Sequence, residues 1–409
     1  MLKRAGEPAL KRGLGFVLLT LYGVGVTVGA GIYVLVGKVS AEAGIYGPVA
    51  FLIAAFVAGL TALSYGELSG RYPVSAGEAV YLNEAFHSRV LGTIIGLMVA
   101  LTGLVSAAVI TLGFVGYLSA FVETPEVLTL CFIVALLAGL AIWGITESVF
   151  LSGIITLVEI GGLLLVILFG VDEMVASPDS GRMLLPPLEI GIWSGVMSGA
   201  LLAFFAFIGF EDMVNVAEEV RDPVRTIPRA IVATLVITTT LYLLVSAISV
   251  TAIPQAELIA SDAPLALVFE RTSGMDGKIL SGVAVFAVLN GALIQMIMGS
   301  RILFGLARQG WMPKFLGLVH PGRQTPVIAT IVIAVAVLAL ALLFPLVGLA
   351  AATSYITLTV FTLVNTALLW IRFRGDTVGL WHVPIWVPAV GAASSAAMVV
   401  VNAVSVLGQ

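Results

Sequence analysis

VTVGAGIYV, residues Val26 to Val34, lies in the middle of an otherwise apolar run from Leu14 to Val36, and its glycines decide how that run is read. Gly23, Gly25, Gly29 and Gly31 fall within nine residues, a density that weakens a helix. The stretch predicts a helix broken at mid-membrane. Inside a bilayer an unwound backbone is tolerated only where it is buried in protein or lines a watered cavity, so a break marks a binding site. A second such stretch, FFAFIGFED at Phe204 to Asp212, follows about half a chain later.

Composition sets the environment. Hydrophobic residues make up 60% of the 409 positions and charged ones 10%, against about a quarter in soluble domains. With a mean hydropathy of +1.14, the chain reads as a polytopic membrane protein. No hydrophilic run is long enough to hold a further soluble domain. A net charge of −4 carries no basic face for nucleic acid. Cys131 is the single cysteine, which excludes an internal disulfide and a thiolate metal site. The basic head MLKRAGEPALKRG lacks a small-residue cleavage site and is expected to be retained.

Apolar runs of about twenty residues give about eleven spans. They lie at Leu14 to Val36, Ile45 to Ser69, Val90 to Phe121, Leu128 to Gly144, Val149 to Val171, Ile190 to Val216, Ala230 to Thr251, Lys278 to Ala307, Pro326 to Leu343, Val347 to Ile371 and Val383 to Leu407. With a cytoplasmic N-terminus, only Lys38, Arg182, Arg271 and Lys278 of the nineteen basic residues fall outside, which orients the chain in a cytoplasmic membrane and leaves Gln409 external. Residues 14–171 and 190–371 each hold five spans opening on a glycine-bearing helix. Because five is odd, the halves are expected to be inverted repeats, with 383–407 an additional helix. Gly70 to Arg89 is expected at the cytoplasmic surface, and Pro254 to Arg271 as short helices over an external vestibule.

Two interrupted spans in corresponding positions point to the substrate site of a secondary transporter. Freed amides at the start of a half-helix attract a carboxylate, and freed carbonyls at the end of the other half attract an ammonium. Ala30, Gly31 and Ile32 are the expected donors and Thr27 an acceptor. Close helix packing is the competing explanation of the glycines.

The stretch VTVGAGIYV resembles the glycine signature of the amino acid-polyamine-organocation transporters. SYGELSGRYPVSAGEAVYLNEAF (Ser64 to Phe86), FFAFIGFEDMVNVAEEVRDPVRTIPRAI (Phe204 to Ile231) and LNGALIQMIMGSRILFGLARQGWMP (Leu289 to Pro313) are similar to further blocks of that superfamily, in order. The resemblance implies the five-plus-five fold of the bacterial leucine transporter and alternating access. It also implies a carboxylate on the amides of Ala30 and Gly31 and an ammonium on the carbonyls of Thr27, Phe205, Ala206 and Ile208, with Phe207 in the same site. The Phe205 ring would gate the substrate.

Glu159, in LVEIGGLLL, stands where an ionised side chain costs several kcal/mol unless paired or watered, and is therefore the expected proton carrier; a neutral acid bonded between helices is the alternative. Many superfamily members resemble this chain here but carry lysine, so the charge is inverted. Val283 to Gly291 lacks the serine or threonine of sodium-coupled relatives, which disfavours sodium. Glu211 and Asp212 are expected to cap the inner half-helix, with a place in the proton path as the alternative. Glu218, Glu219, Arg221, Asp222, Arg225 and Arg229, with Arg301 and Arg308, form a charged inner face. His87, His320 and His382 are isolated, supporting neither a metal site nor a catalytic triad, and no phosphate-binding loop indicates ATP use.

These readings predict an amino acid symporter driven by protons, with no other cofactor, favouring neutral substrates and embedded in lipid. Uncoupled exchange, transport of cationic amino acids or amines, and a non-transporting amino acid sensor stay open. An enzyme is not expected, for want of a polar catalytic pair in the spans.

Overall fold

A computed structural model describes the backbone of residues 10–119, 124–178, 180–261, 263–343, 346–375 and 381–407. Within those ranges the side chains of 29–30, 34, 109, 113, 115–119, 145–148, 288, 346–352, 354 and 401–407 lie outside the description.

The long helices are α1 (Phe16–Ala43), α2 (Gly47–Arg71), α4 (Arg89–Ser119), α5 (Glu126–Trp143) and α6 (Ile145–Ala176), with the short α3 (Gly77–Phe86) between α2 and α4. The second half runs α7 (Ile190–Phe205), α8 (Asp212–Asn215), α9 (Pro223–Ala252), α10 (Gln255–Ala260), α11 (Pro264–Ser273), α12 (Lys278–Arg308), α13 (Val327–Leu343), α14 (Leu346–Phe373) and α15 (Trp386–Leu407). Eight helical stretches among the described residues are long and apolar enough to cross a bilayer, and three shorter apolar helices, at Ile190–Phe205, Val327–Leu343 and Trp386–Val400, accompany them. Large apolar side chains such as Phe56, Phe132, Phe150, Leu168 and Val335 point outward, as lipid-facing surfaces require. The protein is an all-α polytopic membrane protein.

Packing relates the two halves. α1 packs on α7, α2 on α9, α4 on α12 and α5 on α13, each helix against its counterpart in the other half. Other contacts come as exchanged pairs: α1 with α9 and α2 with α7, α6 with α9 and α2 with α14, α6 with α12 and α4 with α14. A two-fold relation between five-helix halves produces this pattern. α15 lies outside it, against α14 and α2.

Small residues permit these approaches. A Cβ on Gly199 would sit 2.8 Å from Ala43 Cβ, and one on Gly92 2.6 Å from the Ala79 carbonyl. Hydroxyls inside the spans bond back to their own helix, as Thr111 does to Ala107 O (2.6 Å) and Ser249 to Val245 O (2.7 Å), which spares the bilayer an unpaired donor.

Three expectations need correction. α1 is one helix from Phe16 to Ala43, with no break at Val26 to Val34. A glycine costs a helix about 1 kcal/mol, whereas each unsatisfied backbone group in an apolar surround costs several, so continuity wins. The segment Gly70 to Arg89 is not laid on the surface: α3 buries Glu78, Ala79, Val80, Tyr81 and Leu82, packing on α4 and α14. Glu211 and Asp212 make no capping bond to α8. The break in the second half is present, with six non-helical residues between Phe205 and Asp212, and Pro254 to Arg271 forms α10 and α11 over the end of α1.

The two ends of the bundle are tied separately. At the basic end, Leu14 N–H donates to Glu219 O (3.1 Å) and Arg221 N–H to Leu14 O (2.8 Å). Arg71 and Arg372 both donate to the buried Glu67, which also accepts from Val383 N–H (2.8 Å). Arg301 and Glu219, both fully buried, form a two-pronged pair at 3.0 and 3.2 Å. At the opposite end Gln255 donates to Ser40 O (2.9 Å). Removing one partner of a buried pair strands the other charge, so Arg301→Leu is expected to cost about 3–5 kcal/mol in detergent unfolding, and Glu219→Leu added to it to recover most of the loss.

Candidate substrate and coupling site

The two stretches singled out in the sequence meet at the centre of the bundle. A Cβ on Gly31 would lie 3.0 Å from Ala206 Cα and 3.2 Å from its Cβ, so α1 rests on the backbone of the break. Gly209, at φ +129, does the same from the other side, where a Cβ would meet Val26 at 3.0 Å. That backbone angle requires glycine, and the contact is tight for any larger residue. Gly25 faces a polar cluster instead, 2.1 Å from Thr156 Oγ1 by the same construction.

The break satisfies its own polar groups in three ways. Turns bond Ala206 N–H to Ala203 O (3.0 Å), Phe207 N–H to Phe204 O (2.9 Å) and Ile208 N–H to Phe205 O (3.3 Å). Glu211 Oε2 accepts from Gly209 N–H at 2.8 Å. The hydroxyl of Tyr242, on α9, lies 2.6 Å from Thr27 O and 3.0 Å from Ala206 O, so one donor serves carbonyls from both halves. Two of the expected ammonium acceptors thus converge on a single polar hydrogen. Phe205 O is committed to a turn, and Ile32 is buried within α1. The Ala30 side chain lies outside the described residues.

Aromatic rings wall the break. Phe207 packs on Tyr242 (centroids 5.0 Å apart), Phe204 on Phe361 (5.9 Å) and Phe210 on both Tyr65 and Phe361 (5.9 and 5.5 Å). Phe205 and Ile208 are half-buried beside them.

Glu159 is fully buried on α6. Its Oε1 accepts from Asn290 Nδ2 (2.9 Å), which also reaches Thr156 Oγ1 (3.0 Å), while Tyr33 donates to the Glu159 backbone carbonyl (2.8 Å). Glu159 Oε2 and Asn290 Oδ1 have no hydrogen-bond partner among the described residues. The cluster joins α1, α6 and α12 immediately behind Gly25.

A second buried acidic group lies toward the basic end. Asp212 Oδ2 accepts from Gln295 Nε2 (2.9 Å), and Glu78 Oε1 from Asn215 Nδ2 (3.3 Å), whose Oδ1 in turn accepts Gly77 N–H (3.2 Å). Burial pushes the Glu78 carboxyl up to about 8, with the neighbouring Glu211 charge adding to the shift and hydrogen bonds opposing it.

Tyr242, Asn290, Thr156, Gln295 and Glu78 were not singled out from the sequence. Each is an ordinary polar residue in an apolar or short helix, and only the fold brings it to the site. His382, expected to be isolated, approaches Glu67 at 3.4 Å.

The sequence model of a family described as "Amino acid permease" matches residues 14–408. The branched-chain amino acid permease BcaP of Bacillus subtilis is 31% identical over 392 residues, covering 90% of this chain and 82% of that one. The vacuolar cationic amino acid transporter 4 of Arabidopsis thaliana is 31% identical over 401 residues, covering 91% of this chain and 65% of the plant protein. The methylthioribose transporter of B. subtilis is 27% identical over 387 residues, with 89% and 82% covered.

Gly31→Val places its side chain against the Ala206 backbone, and overpacking of this kind is expected to cost about 1–3 kcal/mol in thermal unfolding, with Gly31→Ala intermediate. Glu78 sets a pH dependence. Between the ordinary 4.5 and about 8 the unfolded chain releases a proton that the folded one keeps, so stability falls as pH rises through that window. Glu78→Gln is expected to flatten this fall, by an amount on the order of 4 kcal/mol between pH 5 and pH 8; an unchanged slope would remove Glu78 as its source.

Proposed function

Since the chain belongs to the amino acid permease family, we propose that it is a proton-coupled symporter that carries neutral amino acids by alternating access. Amino acid transport and membrane embedding come with the family; coupling, substrate and orientation are our reading. The observation that carries it is the convergence of Thr27 O and Ala206 O, one from each half, on the Tyr242 hydroxyl. Carbonyls gathered on one donor suit a substrate ammonium.

The substrate carboxylate is assigned to the amides of Ala30, Gly31 and Ile32. These belong to a continuous helix, so binding requires α1 to open locally. The glycines lower that cost by about 1 kcal/mol each. Phe205 is assigned the gate, with Ala206, Phe207 and Ile208 lining the site. Glu211 and Asp212 are engaged by Gly209 and Gln295, which supports a neutral rather than a cationic side chain on the substrate.

Glu159 is assigned the proton. It stands behind the Gly25 face of α1, with one oxygen bonded to Asn290 and the other without a partner among the described residues. Protonation there and opening of α1 would act on the same helix. The basic end, closed by the Leu14–Val220 bridge and the Arg301–Glu219 pair, is read as the cytoplasmic gate.

Purified protein in liposomes, given a labelled amino acid mixture in sodium-free buffer, is expected to accumulate neutral amino acids only with an inward pH gradient. Glu159→Gln is expected to lower this accumulation at least about tenfold, a barrier change near 1.4 kcal/mol. Normal gradient-driven uptake by that variant would make Glu159 structural. Entry of label only into preloaded liposomes would make the protein an exchanger.

A further inference from the structure

A groove of ≈ 940 Å³ opens on the flank of the bundle at its basic end, walled by the start of α1, by α9 and by the segment preceding α15. Phe16, Val232, Val236 and Trp381 line its apolar part, and Arg225 and Arg229 stand at its mouth. On α9, Arg225, Arg229, Val232 and Val236 follow one another at helical spacing and share one face. At 1.5 Å per residue, Val236 lies roughly 16 Å deeper than Arg225, about half the ~30 Å hydrocarbon core. The groove therefore has the depth of one leaflet.

Its charges are uncommitted. Other arginines at this end are bonded to protein: Arg71 and Arg372 to Glu67, Arg301 to Glu219, Arg374 to Ala85 O, Arg89 to Gly310 O and Arg323 to Trp143 O. The side chains of Arg225 and Arg229 are exposed, and neither guanidinium has a hydrogen-bond or ion-pair partner among the described residues. Exposed arginines commonly reach for headgroups along any helix end. Here two of them, one turn apart, crown an apolar shaft, and guanidinium forks suit phosphate oxygens.

We infer that this groove is a binding site for an anionic phospholipid, its phosphate held by Arg225 and Arg229 and one acyl chain lying along Phe16, Val232, Val236 and Trp381. Trp381 also fills the space over Gly66 of α2, where a Cβ would meet its ring at 2.4 Å. A lipid seated there touches the beginning of α1 and of α9 and a side chain docked on α2, and so braces three helices at once.

Native mass spectrometry of the detergent-solubilised full chain, titrated with phosphatidylglycerol or with phosphatidylcholine of the same acyl chains, tests the site. Phosphatidylglycerol is expected to bind about tenfold tighter, the scale of one or two headgroup contacts. Arg225→Gln/Arg229→Gln should reduce it to the phosphatidylcholine level, whereas Arg89→Gln/Arg323→Gln, an equal charge loss at the same end, should leave it unchanged. Val236→Trp, filling the shaft, should weaken phosphatidylglycerol binding with both arginines intact. Equal binding of the two lipids, equal loss in both double variants, or displacement of phosphatidylglycerol by millimolar inorganic phosphate would overturn the proposal.

Discussion

Between Phe205 and Asp212 the backbone leaves its helix in the middle of an apolar bundle, with no bulk water to bond to. Everything around it answers that constraint. The turns of Ala206 to Ile208, the carboxylate of Glu211 on Gly209 N–H and the hydroxyl of Tyr242 on Ala206 O supply the missing partners. Because Tyr242 also serves Thr27 O, the same repair ties the break to α1. Gly31 and Gly209 let the backbones come close enough for this, since a Cβ at either would strike the opposite chain. Removing the Tyr242 hydroxyl leaves two carbonyls, one from each half, without their shared donor.

The polar residues fall into layers along the bundle. Glu159, Asn290 and Thr156 form one behind α1; Glu78, Asn215, Asp212 and Gln295 form another toward the basic end; Glu67, Arg71, Arg372, Glu219 and Arg301 close that end. In a low-dielectric interior each such network is costly unless satisfied, and each holds particular helices in register. The helices these networks join are α2, α3, α6, α8, α12 and α14, and Tyr33 of α1 adds its bond to the Glu159 carbonyl. Parting the helices at the basic end therefore means exchanging a whole network rather than one bond, which suits discrete rather than graded motion.

The correction at Val26 to Val34 shows how glycine is ambiguous in a membrane. The same residue that weakens a helix also permits the closest helix contact: a Cβ would lie 2.4 Å from the Met213 side chain at Gly23, 2.1 Å from Thr156 at Gly25 and a tight 3.0 Å from Ala206 at Gly31. The second stretch differs because Gly209 takes a positive φ that a helix does not accept. A glycine count could not separate the two cases. Likewise nothing in the sequence around α3 shows that its Glu78 turns inward to Asn215 rather than out to solvent.

What the sequence determined by itself was the membrane class, the all-helical build and the two stretches from which the centre is built. These depend on hydropathy and on the placement of glycine, which act locally along the chain. Only the tertiary structure decided that α1 stays whole, that Tyr242 joins the halves and that Glu159 is met by Asn290. It also left the guanidinium groups of Arg225 and Arg229 unpaired among the described residues, beside a groove. Those outcomes depend on which side chains arrive from helices distant in sequence, because the partner that satisfies a buried polar group is chosen by packing rather than by its neighbours in the chain.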